Sequence, residues 1–287
     1  MQTALSIGAD AFAYGMVLFM ITIGLSVTMG LMKVVNLAHG AFAMIGGYIA
    51  SYAIQQAGLP FWLAAVTAVA GTVLIAVPLE RLLYRRIYGA SELTQVLMTI
   101  GITFVIIGLA NYLLGPTLKT IRLPDLLNAP VNIGFRTIPG HKLFAVLVGL
   151  AVALGLWLLI ERTRFGVKLR AAVDNSAMAE ALGVRTSLIY SASFALGIGL
   201  AALGGVVGAQ LLPIEPYYAM RYMVTFLVVV SVGGAGSIGG AILACLLLGS
   251  IETAARYFVP EYGEFFFYLA VIVIVAFFPN GLLGRAR

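Results

Sequence analysis

Charge is scarce in this sequence. Of 287 residues only 10% are Asp, Glu, Lys or Arg, against about 25% in an ordinary soluble domain. Hydrophobic residues make up 62% of the chain, and the mean hydropathy is +1.05. That excess of apolar side chains must face lipid or neighbouring membrane helices, which excludes a soluble domain as the whole of the chain. Cysteine is scarcer still: Cys245, the single one, lies in an apolar stretch, so neither an intrachain disulfide nor a Cys-based metal cluster can form. There are two histidines, His39 and His141. No nucleophile and base stand together by spacing, so nothing supports catalysis. Because no Lys or Arg precedes Lys33, the first apolar run lacks the basic segment of a cleaved signal and reads as a retained span. The alternating segments of about 10 residues that build a membrane barrel are also missing.

What is present is a series of apolar windows long enough to cross about 30 Å of hydrocarbon at 1.5 Å per residue. They run over residues 11–32, 34–54, 59–79, 93–114, 143–160 and 188–212, with a last one over 265–283. Between the last two, Tyr222 to Phe258 is apolar but interrupted by Gly233-Gly234-Ala235-Gly236-Ser237-Ile238-Gly239-Gly240. That stretch is either two spans or a re-entrant pair of half-helices. The expected fold is an all-α membrane protein: a polytopic bundle of about 8 transmembrane or half-spanning helices in a single domain over 1–287, with a broken or re-entrant glycine-rich segment. Small residues four apart, as at Gly197, Ala201 and Gly205 or Gly204 and Gly208, predict close helix packing.

The net charge of +6 would suggest nucleic acid in a soluble protein. Here the cations flank apolar spans, so they report orientation and the partner surface is lipid. One set of loops holds Lys33; Arg81, Arg85 and Arg86; Arg162, Arg164, Lys168, Arg170 and Arg185; and Arg285 and Arg287, which is 11 of the 17 basic residues. That set marks the cytoplasmic face, with the N-terminus outside and the C-terminus inside. The opposite loops include the basic stretch from Pro116 to Lys142, which runs against the trend.

Within the basic loop 162–187, Asp174, Asn175 and Ser176 supply N-cap chemistry, 177–182 propagates a short helix, and Gly183 stops it. Such a helix either lies on the lipid interface or docks a cytoplasmic motor. Asn36 and His39 fall at the edge of a span, where polar side chains are costly. Three apart, they share a face if the helix is continuous, either fixing packing or lining a path. No Asp or Glu occurs in the first three windows before Glu80, which argues against a proton relay. The run Gly234-x-Gly236-x-x-Gly239 mimics a dinucleotide fingerprint, but its flanks are membrane spans and no Lys-Ser or Lys-Thr follows. A helix break remains. Its glycines either permit tight packing or let a helix starting near Gly239 aim its N-terminal N–H groups at a carboxylate. Glu252 and Arg256, four apart, predict a helical ion pair at a membrane boundary.

Several segments carry a family resemblance in order along the chain: Asn36-Leu37-Ala38-His39-Gly40 with Gly46-Gly47-Tyr48, Glu80 to Arg86 followed by Thr99-Ile100-Gly101, Asp174 to Val184, Gly233 to Gly240, and Phe278 to Arg285. The stretch from Asp174 to Val184 resembles the coupling-loop signature of ABC importer permeases, and together the segments resemble the LivH-type permease of branched-chain amino acid importers. Permeases for urea or short-chain amides are similar. The resemblance implies a permease in the bacterial or archaeal inner membrane that works with a second, LivM-like permease, two ATPase subunits that bind the ATP, and a periplasmic binding protein. It implies coupling roles for Asp174, Glu180, Ala181 and Gly183. It implies pathway roles for Asn36, His39, Gly40, Gly234, Gly236, Ser237 and Gly239. A self-sufficient secondary transporter would instead show coupled ionisable residues and an inverted repeat.

Overall fold

The computed structural model describes residues 2–32, 34–132, 134 and 137–283. Lys33, Arg136, Gly284, Arg285 and Arg287, used in the charge and motif arguments, lie outside them. The described order is α1 (Gln2–Met32), α2 (His39–Gln55) and α3 (Phe61–Leu79), which continues through a π turn (Glu80–Tyr84) into α4 (Arg85–Ile87). Then come α5 (Glu92–Leu114), α6 (Asp125–Asn128), a hairpin of β1 (Pro130–Asn132) and β2 (Thr137–Pro139), and α7 (Gly140–Arg162). The rest is α8 (Arg164–Asp174), α9 (Ser176–Ala181), α10 (Thr186–Val207), α11 (Tyr218–Gly233), α12 (Ile238–Phe258), a 3-10 turn (Pro260–Tyr262) and α13 (Gly263–Phe277). Among the described residues, seven helical stretches are long and apolar enough to cross a membrane; α2 and α11, with 17 and 16 residues, are shorter.

The helix α1 forms the axis of the bundle. It is apolar all round, the pattern of a helix enclosed by others, and every side chain from Met16 to Ile23 is buried. The helices α7, α10, α11 and α12 pack around it. Contact with α10 is close enough that a Cβ on Gly24 would sit 2.2 Å from the Gly197 carbonyl oxygen. The small residues of α10 serve two neighbours: Gly197, Gly204 and Gly208 lie on α1, while Ala202 and Gly205 lie on Gly46 and Ala43 of α2. This is small-residue packing of the kind that replaces hydrophobic drive between helices in lipid.

The helical polytopic fold is as expected, and β1 and β2 add one small antiparallel hairpin with Val131 opposite Ile138; three-residue strands are too short for a hydropathy window to register. Two expectations change. His141 belongs to the first turn of α7, not to a loop. The last window stops early, because α13 ends at Phe277 and Phe278 takes φ −127, ψ 71 ahead of Pro279, a residue that disfavours helix at the position before it. The chain then folds back, and Leu282 N donates to Val232 O at 2.7 Å.

The interrupted region is an antiparallel helical hairpin. Arg221, Tyr222 and Thr225 of α11 line the same cavity as Glu252 and Arg256 of α12, so both arms reach back to one end, and residues 234–237 form the tip.

Candidate functional site: a capped loop helix and two facing helix breaks

The basic loop is built as a helix pair. Thr163 caps α8, its Oγ1 accepting from Phe165 N at 3.2 Å, and Asn175 caps α9, its Oδ1 accepting from Met178 N at 2.9 Å. Of the three residues expected to supply capping, only Asn175 does so, since Asp174 closes α8 and Ser176 opens α9. Gly183 has φ +82, and Val184 N donates to Ala179 O at 2.9 Å. That left-handed stop satisfies carbonyls at the helix end, and it favours glycine for its backbone. The pair is tied to both flanking spans: Arg170 donates to Ile160 O, the Tyr190 hydroxyl to Ala172 O, and Thr186 Oγ1 to the Glu180 carboxylate. Leu169, Ala172 and Ala179 are buried against the bundle. Asp174, Glu180, Ala181 and Gly183 are exposed, and between them Met178 and Leu182 present apolar side chains that are 58% and 78% exposed.

Both breaks pack against the C-terminal part of α1, where Val34 N donates to Thr28 O at 3.3 Å and Gly236 N to Ser26 O at 3.0 Å. Residues 34–38 between α1 and α2 are non-helical backbone inside the bundle, which is tolerated only where its polar groups are satisfied. Side chains do this. Val35 N donates to Gln95 Oε1 at 2.9 Å, Leu37 N to Thr99 Oγ1 at 3.2 Å, and Ala38 N to Asn36 Oδ1 at 3.1 Å. At the other break, Gly236 N donates to Ser26 O at 3.0 Å and to Ser26 Oγ at 3.1 Å. A Cβ on Gly30 would lie 2.0 Å from that nitrogen, so the tip rests directly on α1.

Asn36 lies outside the helix, so it shares no helical face with His39. Its Oδ1 also accepts from the Tyr84 hydroxyl at 2.9 Å. His39 Nε2 is 2.9 Å from Ile21 O, so the hydrogen belongs on Nε2 to donate there. Both side chains are buried, and Asn36 Nδ2 and His39 Nδ1 have no partner among the described residues. Gly40 faces the Phe226 ring. Gly234 lies under Gly281 of the returning tail, Ser237 caps α12 by accepting from Gly240 N at 3.0 Å, and Gly239 is exposed beside Leu283. Of the seven expected pathway residues, Asn36, His39 and Gly40 thus lie at the start of α2 and Gly234, Gly236, Ser237 and Gly239 at the break between α11 and α12.

Gln95 and Thr99 were missed as site residues. Their signal is Gln95, Thr99 and Thr103 at intervals of four on an apolar span, a polar stripe that has to face something buried. Glu252 and Arg256 form the expected pair at 2.7 Å.

Against this geometry, residues 9–276 match the family described as branched-chain amino acid transport system, permease component. The chain belongs to this family. It is 31% identical over 282 residues to the high-affinity branched-chain amino acid transport system permease protein BraD of Pseudomonas aeruginosa, covering 93% of this chain and 91% of that protein. It is 28% identical, with the same coverage, to LivH of Escherichia coli strain K12. Among solved structures, PsaBC from Streptococcus pneumoniae in complex with Fab has a similar fold, with a TM-score of 0.52 at 15% identity over 93% of this chain and 89% of that one. As a member of the branched-chain amino acid permease family, the chain is a multi-pass membrane transport component, not an enzyme, and it works with further components of a transport system.

Proposed function

We propose that the chain is the translocating subunit of an ATP-driven importer for branched-chain amino acids in the bacterial or archaeal inner membrane, with its N-terminus outside and its C-terminus inside. It pairs with a second, LivM-like permease, two ATPase subunits and a periplasmic binding protein. The observation that carries this reading is α9: a capped short helix, held to the spans on either side and offering Met178 and Leu182 to the surface. An apolar pair on a polar loop is the kind of surface that meets a partner, and in this reading the partner is an ATPase subunit. Asp174, Glu180, Ala181 and Gly183 form that coupling element. Asn36, His39 and Gly40, with Gly234, Gly236, Ser237 and Gly239, shape the pathway by holding the breaks at which the helices rearrange.

Reconstitution tests it. The chain with its partner subunits moves leucine into proteoliposomes only with ATP and the binding protein. Leucine movement by this chain alone overturns the reading in favour of a self-sufficient transporter. Uptake of urea or acetamide in place of leucine assigns the system to that relative class.

A further inference from the structure

On the side of the bundle away from the basic loop, the last turns of α2, the end of α5 and the loop after it enclose a cavity of about 210 Å³ lined by Tyr48, Ser51, Tyr52, Gln55, Leu113 and Lys119, among others. Two of its donors are left without an acceptor. Tyr48 is 4% exposed, and its buried hydroxyl has no hydrogen-bond partner among the described residues. Buried polar groups are almost always paired, so an orphan of this kind points to something that completes it. Lys119 is half-buried, and its ammonium forms no ion pair among the described residues. Its backbone fixes it in place, the N–H donating to Ile214 O at 2.9 Å. Ser51 Oγ and Gln55 Nε2 both donate to Thr120 O, holding the loop against α2. No described Asp or Glu lines the space. Glu215, whose charge reaches Tyr48, is engaged by Arg221 at 3.1 Å.

Two donors, one of them cationic, with no anion beside them suit an anionic oxygen group. Depth in the membrane identifies its source. Tyr52 on the last turn of α2, Trp62 on the first turn of α3 and Tyr112 on the last turn of α5 are 60%, 50% and 86% exposed. Exposed Tyr and Trp at the ends of spans form the girdle that sits among lipid headgroups. Leu113, in the cavity wall, is 69% exposed, so the same space borders surface that meets acyl chains. We infer that this cavity binds the phosphate of an anionic phospholipid in the leaflet on the side of the loop after α5. Lys119 and the Tyr48 hydroxyl donate to the phosphate oxygens, and the acyl chains lie along Tyr52 and Leu113. A headgroup with its own ammonium finds no carboxylate in the lining to meet it, which favours a glycerol headgroup over ethanolamine. The inference needs only the membrane setting of the bundle and holds whatever the importer carries.

Lys119→Gln and Tyr48→Phe test it, since each removes one donor while the backbone bond of residue 119 and the ring of residue 48 stay. The assembled transport complex, stripped of native lipid in detergent, is titrated with short-chain phosphatidylglycerol, and bound lipid is counted by native mass spectrometry. Lys119→Gln is expected to weaken binding about fivefold, the contribution of one basic side chain at an anionic lipid surface. Tyr48→Phe is expected to weaken it by on the order of tenfold, because its hydroxyl bonds a charged group, with the melting temperature in lipid-free detergent unchanged. Arg122→Gln, which removes an exposed cation of the same loop, is expected to bind as the parent does. Unchanged binding in either Lys119→Gln or Tyr48→Phe overturns the site. Equal weakening by Arg122→Gln overturns it as well, because the attraction is then one of net charge alone. Displacement of the lipid by inorganic phosphate or by leucine makes the cavity a site for a free solute and overturns the lipid assignment. Phosphatidylethanolamine bound as tightly as phosphatidylglycerol overturns the preference for an anionic headgroup.

Discussion

Gly183 separates two roles of glycine, because its surroundings are open while its backbone is constrained. Nothing lies within 4 Å of a Cβ placed there, yet φ is +82, a conformation that costs an L-residue about 1–2 kcal/mol and that Asn tolerates better than a β-branched residue does. Gly183→Val is therefore expected to fray α9 and cut leucine uptake severalfold with ATP hydrolysis retained, whereas Gly183→Asn keeps both. Parallel assays of uptake and hydrolysis distinguish the two, and equal behaviour of Val and Asn would remove the backbone from the explanation. Gln95 is the opposite case, a side chain needed for what it bonds. Besides Val35 N, it reaches Ile87 O and Ala90 O at 3.3 and 3.2 Å. Gln95→Leu keeps the volume but strands a buried N–H, at a cost of about 1–3 kcal/mol. The apparent melting temperature in detergent is expected to fall by several degrees.

At the scale of elements, the π turn at Glu80–Tyr84 places a buried carboxylate between two spans. Glu80 Oε1 accepts from the Tyr88 hydroxyl at 2.7 Å, Oε2 accepts from Ser191 Oγ at 2.7 Å, and Arg85 donates to Ser191 Oγ at 3.1 Å. Burial and the bond to Glu80 push the Tyr88 phenol above its usual range, so it stays a donor throughout the physiological pH range. This clamp joins the end of α3 to the first turns of α10, the helix entered from the basic loop. Glu80→Gln weakens charge-assisted bonds worth about 1.5–3 kcal/mol. Its expected signature is a lower ratio of leucine uptake to ATP hydrolysis in an importer that still assembles, and an unchanged ratio would make Glu80 a packing residue only. The windows of apolar residues predicted the spans because lipid demands length and hydropathy, which are local properties. The stop at Gly183 and the Glu252–Arg256 pair were legible for the same reason. The clamp and the satisfaction of residues 34–38 by Gln95 and Thr99 were not. They join residues about 60 to 110 positions apart, and a single sequence carries no record of which polar stripe meets which break. Similarly, Asn36 and His39 stood out as costly polar groups, but their placement on either side of a helix start depends on backbone geometry that spacing does not encode.

Across the whole molecule, burial is uneven in a way that composition conceals. The most apolar windows of α1 and α7 are both strongly hydrophobic, yet 83% of the first is buried inside the bundle against 22% of the second, and the window reaching through α13 is 11% buried. The outer helices therefore turn apolar surface outward, as lipid contact requires, and only the loops report which side is which. Exposed Leu182 lies in the basic loop, and exposed Thr117 lies in the loop between α5 and α6; α5 separates the π-turn side from the Thr117 side. The single native thiol, Cys245, is fully buried and can be removed as Cys245→Ala. In that background, a membrane-impermeant maleimide added to intact cells with a permeable outer envelope is expected to label Thr117→Cys at once and Leu182→Cys only after the inner membrane is opened. Basic residues are retained on the cytoplasmic side during insertion, and 11 of 17 lie in the loops on the Leu182 side, so the cations near Thr117 are too few to invert the chain. The reverse labelling pattern would place α9 outside, where no ATPase could reach it, and the orientation and the coupling role would fall together.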